Sequence, residues 1–221
     1  MNSSPLFNEV DLYVSQLFQE HPHPDLLYHN FEHTQRVVAH SMQIADHYPL
    51  SEAERFILYT AAYFHDTGHL LGVLEGHERV GVEIMRDFFK GLRGKADEGS
   101  QAGSVEAAKG SCEEGSPIGP DELLRIERCI MVTRWPVRPV KLLEKMICDA
   151  DTFHLGTEEF MEMDGRVWDE MERRTGKVIE HRAERSLRFL EVHRFYTEYC
   201  QNLLNEGKQR NIERLRELLG K

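Results

Sequence analysis

The stretch SEAERFILYTAAYFHDTGHL, residues 51–70, decides the fold. Ser51 followed three residues later by Glu54 is a capping-box pattern, so a helix is predicted to start there. From Phe56 to Phe64 nearly every position is apolar, which places that helix at the centre of a protein rather than on its surface. The apolar run ends in His65-Asp66-Thr67-Gly68-His69. An imidazole and a carboxylate side by side at the end of a buried helix are costly unless something satisfies them. A metal ion would satisfy both, taking the carboxylate as an anion and the imidazole as a neutral donor.

Three further pieces have the same character. Upstream lies Tyr28-His29-Asn30-Phe31-Glu32-His33-Thr34. His29 and His33 are four apart, the spacing of one helix face. Asn30 reads as the N-cap of a helix running to about His47, which leaves His29 just outside it. Downstream, His77-Glu78 follows a short glycine-containing connection, and Cys148-Asp149-Ala150-Asp151 ends an otherwise apolar helix. Carboxylates at a helix C-terminus oppose the helix dipole. Seven of the 12 histidines (His29, His33, His40, His47, His65, His69, His77) fall within 49 residues. Each piece alone has an ordinary structural reading. Their order is harder to read that way: His33, then His65-Asp66, then Asp151, each on a helix beside apolar sequence, with mixed nitrogen and oxygen donors.

The rest of the chain keeps the helical period. Helices are predicted over Leu6–Gln19, about Glu75–Leu92, Asp121–Thr133 and Pro139–Asp151, the last two split by Trp135-Pro136. Others follow over Thr157–Arg174 and in a long helix from about Ile179 to Asn205. Phe189, Val192, Tyr196, Tyr199 and Leu203 supply the buried stripe of that long helix, and a short helix over Ile212–Leu219 closes the chain. Strand-like alternation is nearly absent, so the fold class is all-α. At ~150 residues per domain the 221 residues make one domain, 1–221. A flexible insert is expected at about 94–120: it holds six glycines and only Val105 and Ile118 as large aliphatics.

Composition removes several functions. With 27 Lys and Arg against 38 Asp and Glu, the formal charge of −11 disfavours nucleic acid as a partner. The longest apolar run, Phe56 to Phe64, is far short of the ~20 residues that span a membrane, and Met1 to Pro5 shows no signal-peptide pattern. Cys112, Cys129, Cys148 and Cys200 form no CxxC and read as free thiols of a cytoplasmic protein.

The order His33, His65-Asp66, Asp151 resembles the defining H…HD…D pattern of the HD-domain metal-dependent phosphohydrolases. The Tyr-His-Asn-x-x-His form at Tyr28–His33 is similar to the cyclic-nucleotide phosphodiesterase branch, to stand-alone bacterial HD proteins, and to the effector domains of cyclic-pyrimidine defence systems. The segments Asp149–Gly156 and Phe189–His193 share the likeness, which runs from Tyr28 to His193. The resemblance implies a helical bundle with its metal site between central helices. It implies that His33, His65, Asp66 and Asp151 hold one divalent cation, with Asp66 bridging to a second held by His69 and His77, directly or through water. Such a shell suits Mn, Fe, Ni, Co or Zn, and Mg could join one of them. His29 looks like the phosphodiesterase histidine that protonates the leaving oxygen, which makes His29 and Asp66 the catalytic pair.

Asp149 and Asp151 are ~200° apart around a helix and cannot readily face one ion. Relatives carry the ligand after a small residue, which selects Asp151, although Cys148-Asp149 also fits. Asp149 would then orient a ligating histidine, and Asn30 either orients His29 or only caps. Tyr28 and Trp135 could stack on a base, with core packing the plainer use, and His193 reads as packing or substrate wall. The implied activity is hydrolysis of a phosphate mono- or diester of a nucleotide or a related small molecule. The alternatives are a di-iron oxygenase of the same fold and a nucleotide-binding sensor module. After Asp151 there is no glutamine in the aromatic base-clamp setting of the phosphodiesterases.

Overall fold

In the computed structural model, which describes residues 5–100 and 118–220, the chain is helical throughout its regular parts. Three helices lead to the first histidine-rich segment: α1 (Pro5–Glu20), α2 (Phe31–Ala45) and α3 (Glu52–Phe64). A 3₁₀ turn (Thr67–Leu71) then leads to α4 (His77–Ser100), followed by α5 (Pro120–Met131) and α6 (Leu142–Asp151). A second 3₁₀ turn (Phe153–Gly156) precedes α7 (Phe160–Thr175), α8 (Arg182–Val192) and α9 (Glu198–Leu218). There is no strand among the described residues, and none of their helices is long and apolar enough to cross a membrane.

Helix α3 is the axis of the bundle. Its capping box forms: the Glu54 N–H donates to Ser51 Oγ at 3.2 Å, and the Ser51 N–H donates to Glu54 Oε2 at 3.1 Å. Ile57, Leu58, Ala61, Ala62 and Phe64 are fully buried, each large side chain contributing about 1.5–3 kcal/mol by leaving water. Helices α1, α2, α4, α5 and α6 all pack against α3, so its C-terminal end, with His65 and Asp66, emerges in the interior.

Two close backbone approaches fix the segments around that end. A Cβ on Gly68 would lie 2.2 Å from His77 O, so only glycine lets the first 3₁₀ turn press against the start of α4. A Cβ on Gly207 would lie 1.9 Å from Gly156 O, so α9 and the second 3₁₀ turn meet backbone to backbone. Asn211 Nδ2 anchors the same turn by donating to Leu155 O and Thr157 O at 3.0 and 2.9 Å.

The structure differs from the sequence reading in three places. Helix α4 continues to Ser100, into the segment expected to be a loop from Gly94; Lys95-Ala96-Asp97-Glu98 are residues a helix accepts readily. Residues 101–117 of the expected insert lie outside the described residues, and Ile118 is buried in the core. The long helix predicted over Ile179–Asn205 is two helices. Their junction at His193–Thr197 is pinned by Asp149, and Thr197 caps α9 by accepting from the Cys200 N–H at 3.3 Å. The break shifts the buried stripe: Val192 is 68% exposed, and Leu187, Leu190, Phe195, Cys200 and Leu204 are buried instead. The short helix expected over Ile212–Leu219 is the end of α9. Cys129, Cys148 and Cys200 are buried free thiols; Cys112 lies outside the described residues.

Candidate metal centre

Three helix ends converge on one point. Helix α3 delivers His65 and Asp66. Helix α2 delivers His33, held by its cap: the His33 N–H donates to Asn30 Oδ1 at 3.1 Å, and Asn30 Nδ2 donates to Leu27 O. Asn30 therefore caps α2 and fixes His33; its side-chain hydrogen bonds go to Leu27 and His33. Helix α6 delivers Asp151 as its last residue. His33 Nε2 lies 3.3 Å from both Asp66 Oδ2 and Asp151 Oδ1. His65 Nε2 lies 3.2 and 3.6 Å from the same two oxygens. All four residues offer ligand atoms within 4.8 Å of one another. The cluster is buried except at Asp151, which opens it to the surface.

This cluster has the chemistry of a cation site. His65 Nδ1–H donates to Ala62 O at 2.8 Å, which turns Nε2 toward the two carboxylates. His33 Nε2, His65 Nε2 and Asp66 Oδ2 are buried without any hydrogen-bond partner, at a cost of about 1–3 kcal/mol each if nothing else engages them. Ligand bonds of about 2.0–2.2 Å to one ion set neighbouring donors roughly 3 Å apart, close to the separations here. Burial alone would lower the pKa of His33 and His65, but the carboxylates of Asp66 and Asp151 overcome it and raise both. Burial likewise opposes ionisation of Asp66 and Asp151. The imidazoles, led by His65 at Asp66 and by His33 at Asp151, draw both carboxyl groups well below the usual range. The result is a buried anionic pair faced by nitrogen donors.

A second group adjoins it. His29, Asp66 and His69 also offer ligand atoms within 4.8 Å of one another. His77 Nε2 stands 3.4 Å from Asp66 Oδ1, its Nδ1–H donating to Leu74 O at 3.0 Å. The His69 and His77 rings stack with centroids 3.8 Å apart. Burial, aided by the His29 charge, pushes the His69 pKa down to about 2, so this ring is neutral. Its Nδ1 lies 3.0 Å from Val73 O and 2.8 Å from Arg174 Nη1. Only the tautomer that donates to Val73 leaves Nε2 as a free lone pair. Glu78 completes the group with a buried Oε2 that has no hydrogen-bond partner.

Sequence reasoning missed Glu170 and Arg174, a buried ion pair on α7 with side chains 2% and 3% exposed. Glu170 Oε1 accepts from His29 Nδ1 at 2.7 Å and from Arg174 Nη1 at 3.1 Å. Glu170 Oε2 accepts from the backbone N–H groups of Tyr28 and His29 at 2.8 and 2.9 Å. Burial opposes its ionisation, but these hydrogen bonds, led by that from His29, bring its pKa down to about 2. A signal was present: Phe160, Met163, Val167, Glu170 and Arg174 share one helical stripe, so its last two positions bury charge. His154 was also missed. It is buried against Tyr28, its Nδ1 3.1 Å from the Tyr28 hydroxyl.

Asp149 does not orient a ligating histidine. Its Oδ1 accepts from the Tyr196 N–H at 2.8 Å, and its Oδ2 accepts from the Thr197 N–H and hydroxyl at 2.8 and 2.6 Å. It points away from the cluster because helical rotation separates it from Asp151. Trp135 is 49% exposed rather than packed in the core, its ring 4.9 Å from that of Phe189. His193 is buried with Nε2 3.1 Å from Thr152 Oγ1, and Tyr28 is buried beside His33. His40 and His47 stack on Phe153 and Tyr199 and lie outside both groups.

A cleft of about 530 Å³ opens onto these groups, with His29, Asp66, His77, Arg134, Trp135 and Asp151 in its walls. A helical bundle whose central helix ends carry a buried imidazole–carboxylate cluster defines the class: an all-α protein with a site able to hold a divalent metal. The HD domain model matches residues 30–156, more than half of the chain, and the protein belongs to the HD domain family. That family lies within a superfamily of metal-dependent phosphohydrolases acting on small phosphorylated substrates. No curated protein and no solved structure matches the chain.

Proposed function

We propose that this protein is a metal-dependent phosphohydrolase that cleaves a phosphate mono- or diester of a nucleotide or related small molecule. The observation that carries the reading is the convergence of His33 Nε2, His65 Nε2 and Asp66 Oδ2, all buried and without hydrogen-bond partners, beside Asp151. In this reading His33, His65, Asp66 and Asp151 hold one divalent cation. Asp66 Oδ1 faces the second group, where His69 and His77 hold another. When bound, such a cation lowers the pKa of water and offsets charge on phosphoryl oxygens.

The protein's own groups do the rest. His29, with Nδ1–H held by Glu170, keeps its Nε2 available to donate a proton to the departing alkoxide. The same carboxylate accepts from the backbone N–H groups of Tyr28 and His29, so the ring and the backbone that carries it are both held. Arg134, in the wall of the cleft, is placed to meet the phosphate anion. The net charge of −11 does not prevent this, since bound cations make the site locally positive.

The test is hydrolysis of bis(p-nitrophenyl) phosphate, cyclic nucleotides and deoxynucleoside triphosphates with Mn²⁺ and the other divalent metals. Release of alcohol or phosphate is expected. No release with any metal, together with O₂ uptake by the iron-loaded protein, would overturn the proposal in favour of an oxygenase.

A further inference from the structure

A second cavity, of about 280 Å³, borders the metal centre at His29 and Asp151 and runs between α7 and α8. Its size is near the lower end of ligand pockets, about 300 Å³. Its chemistry is unlike that of the larger cleft. The cleft presents Arg134 and His77 among the carboxylates Asp66, Glu75, Glu78 and Asp151. The cavity presents Trp168, Phe189, Val167 and Leu155, with Asp164 as the carboxylate away from the metal centre, Asp151 at the edge it shares with that centre, and Arg185 at its exposed rim, where Arg185 Nε donates to Glu180 O at 3.1 Å. Trp135 in the wall of the cleft and Phe189 in the wall of the cavity touch where the two meet.

Asp164 is a built feature. Ser186 Oγ lies 2.8 and 2.7 Å from its two oxygens, and Trp168 Nε1 donates to Oδ2 at 3.2 Å. Trp168 Nε1 also donates to Ser186 Oγ at 2.8 Å. A carboxylate has about four acceptor sites. The serine hydroxyl has one proton and the indole one, the latter shared between Oδ2 and Ser186 Oγ, so at most two donors reach Asp164 and at least two of its acceptor sites remain. Burial raises the Asp164 pKa, the mark of a carboxylate short of solvent.

We propose that this cavity is the subsite for the base of a nucleotide, and that Asp164 is its specificity-determining residue, selecting a base edge with adjacent N–H donors of the kind guanine presents. The proposal rests on the hydrolase reading for the place of the phosphate and adds the residue that reads the organic part. The hydrolase reading sets the orientation: cations held at His33, His65, Asp66 and Asp151 would draw the phosphate to the metal centre, with Arg134 beside it in the cleft, and Asp164 lies in the adjoining cavity, which is left for the uncharged ring. The flat aromatic walls of Trp168 and Phe189 suit a planar ring rather than a polyol. A site built to accept N–H groups discriminates strongly against an analogue lacking one, because its acceptor is then left unpaired.

The experiment uses neutral nucleosides and the fluorescence of Trp168. The chain has two tryptophans, so Trp135→Phe leaves Trp168 as the sole reporter. Guanosine is expected to quench saturably, and inosine, which lacks the exocyclic amine, to bind about 10-fold more weakly. Uridine is expected to be weaker still. Adding Asp164→Asn should shrink the guanosine–inosine gap to less than about 3-fold, with the helical circular dichroism retained. Absence of saturable quenching, or equal affinity for all three nucleosides, overturns the proposal, and this series decides the matter even if Asp164→Asn does not fold. Hydrolysis of bis(p-nitrophenyl) phosphate with Mn²⁺ is measured alongside. Hydrolysis without nucleoside selectivity sinks the subsite and leaves the hydrolase reading standing. Selectivity without hydrolysis by any metal sinks the hydrolase reading and leaves the subsite.

Discussion

Replacing Glu170 by glutamine tests whether α7 serves the site or only the fold. The carboxylate receives four donors: His29 Nδ1–H and Arg174 on one oxygen, the Tyr28 and His29 N–H groups on the other. A carboxamide keeps one oxygen, so its NH₂ must face two donors, and Arg174 loses its buried counter-charge. Removing one partner of a buried ion pair costs about 3–5 kcal/mol. At about 2–4 °C per kcal/mol for a chain of this size, Tm should fall by on the order of 10 °C. The sign with pH follows from the depressed carboxyl. Its stabilisation is present above the ordinary carboxylate range and is lost as pH falls through about 2. The gap between wild type and Glu170→Gln should therefore be widest near neutrality and close in strong acid. Loss of the anchor on His29 should lower kcat for bis(p-nitrophenyl) phosphate toward the 10²–10⁴-fold range (about) associated with a general acid, with bound metal unchanged. A fall in Tm with kcat intact would refute the positioning role. Loss of metal along with kcat would show that Glu170 acts on the cluster and not through His29.

His29→Ala should slow turnover by about 10²–10⁴-fold while metal content stays at the wild-type level; loss of metal would make His29 a ligand. Asp149→Ala should destabilise the protein by several kcal/mol, about 1–3 for each buried donor left unpaired, and leave metal bound. An unchanged melting temperature with metal lost would instead make Asp149 the ligand. Gly207→Ala drives a methyl group into the carbonyl of Gly156, and the shift of the turn after Asp151 should cost about 1–3 kcal/mol in a thermal melt; an unchanged melt would mean that the two backbones do not touch.

What could be read from the sequence was what is written locally. The Ser51–Glu54 cap and the apolar run to Phe64 specify α3 within a few residues, and the same stretch places His65 and Asp66 at a buried end. The grouping of His33, His65, Asp66 and Asp151 was legible because each sits at or near a helix end beside apolar sequence. From the sequence, Asp151 is preferred to Asp149 only on the likeness to relatives, because the residues alone do not say how α6 is rotated against α2 and α3. The break between α8 and α9 was hidden for a related reason. Its cause is Asp149, almost 50 residues away, while the spacing of apolar residues on either side still mimics one helix. Glu170 escaped because a charged residue on a helix reads as solvated, and only the stripe begun by Phe160 and Met163 marks it as buried.

The central claim is that His33, His65, Asp66 and Asp151 hold the cation on which hydrolysis depends. It is tested most directly by the metal content of wild-type protein and of Asp66→Ala after dialysis against Mn²⁺. The account predicts at least one tightly held ion per wild-type chain and none in Asp66→Ala, which should keep its helical circular dichroism. Equal metal content in the two proteins would contradict it.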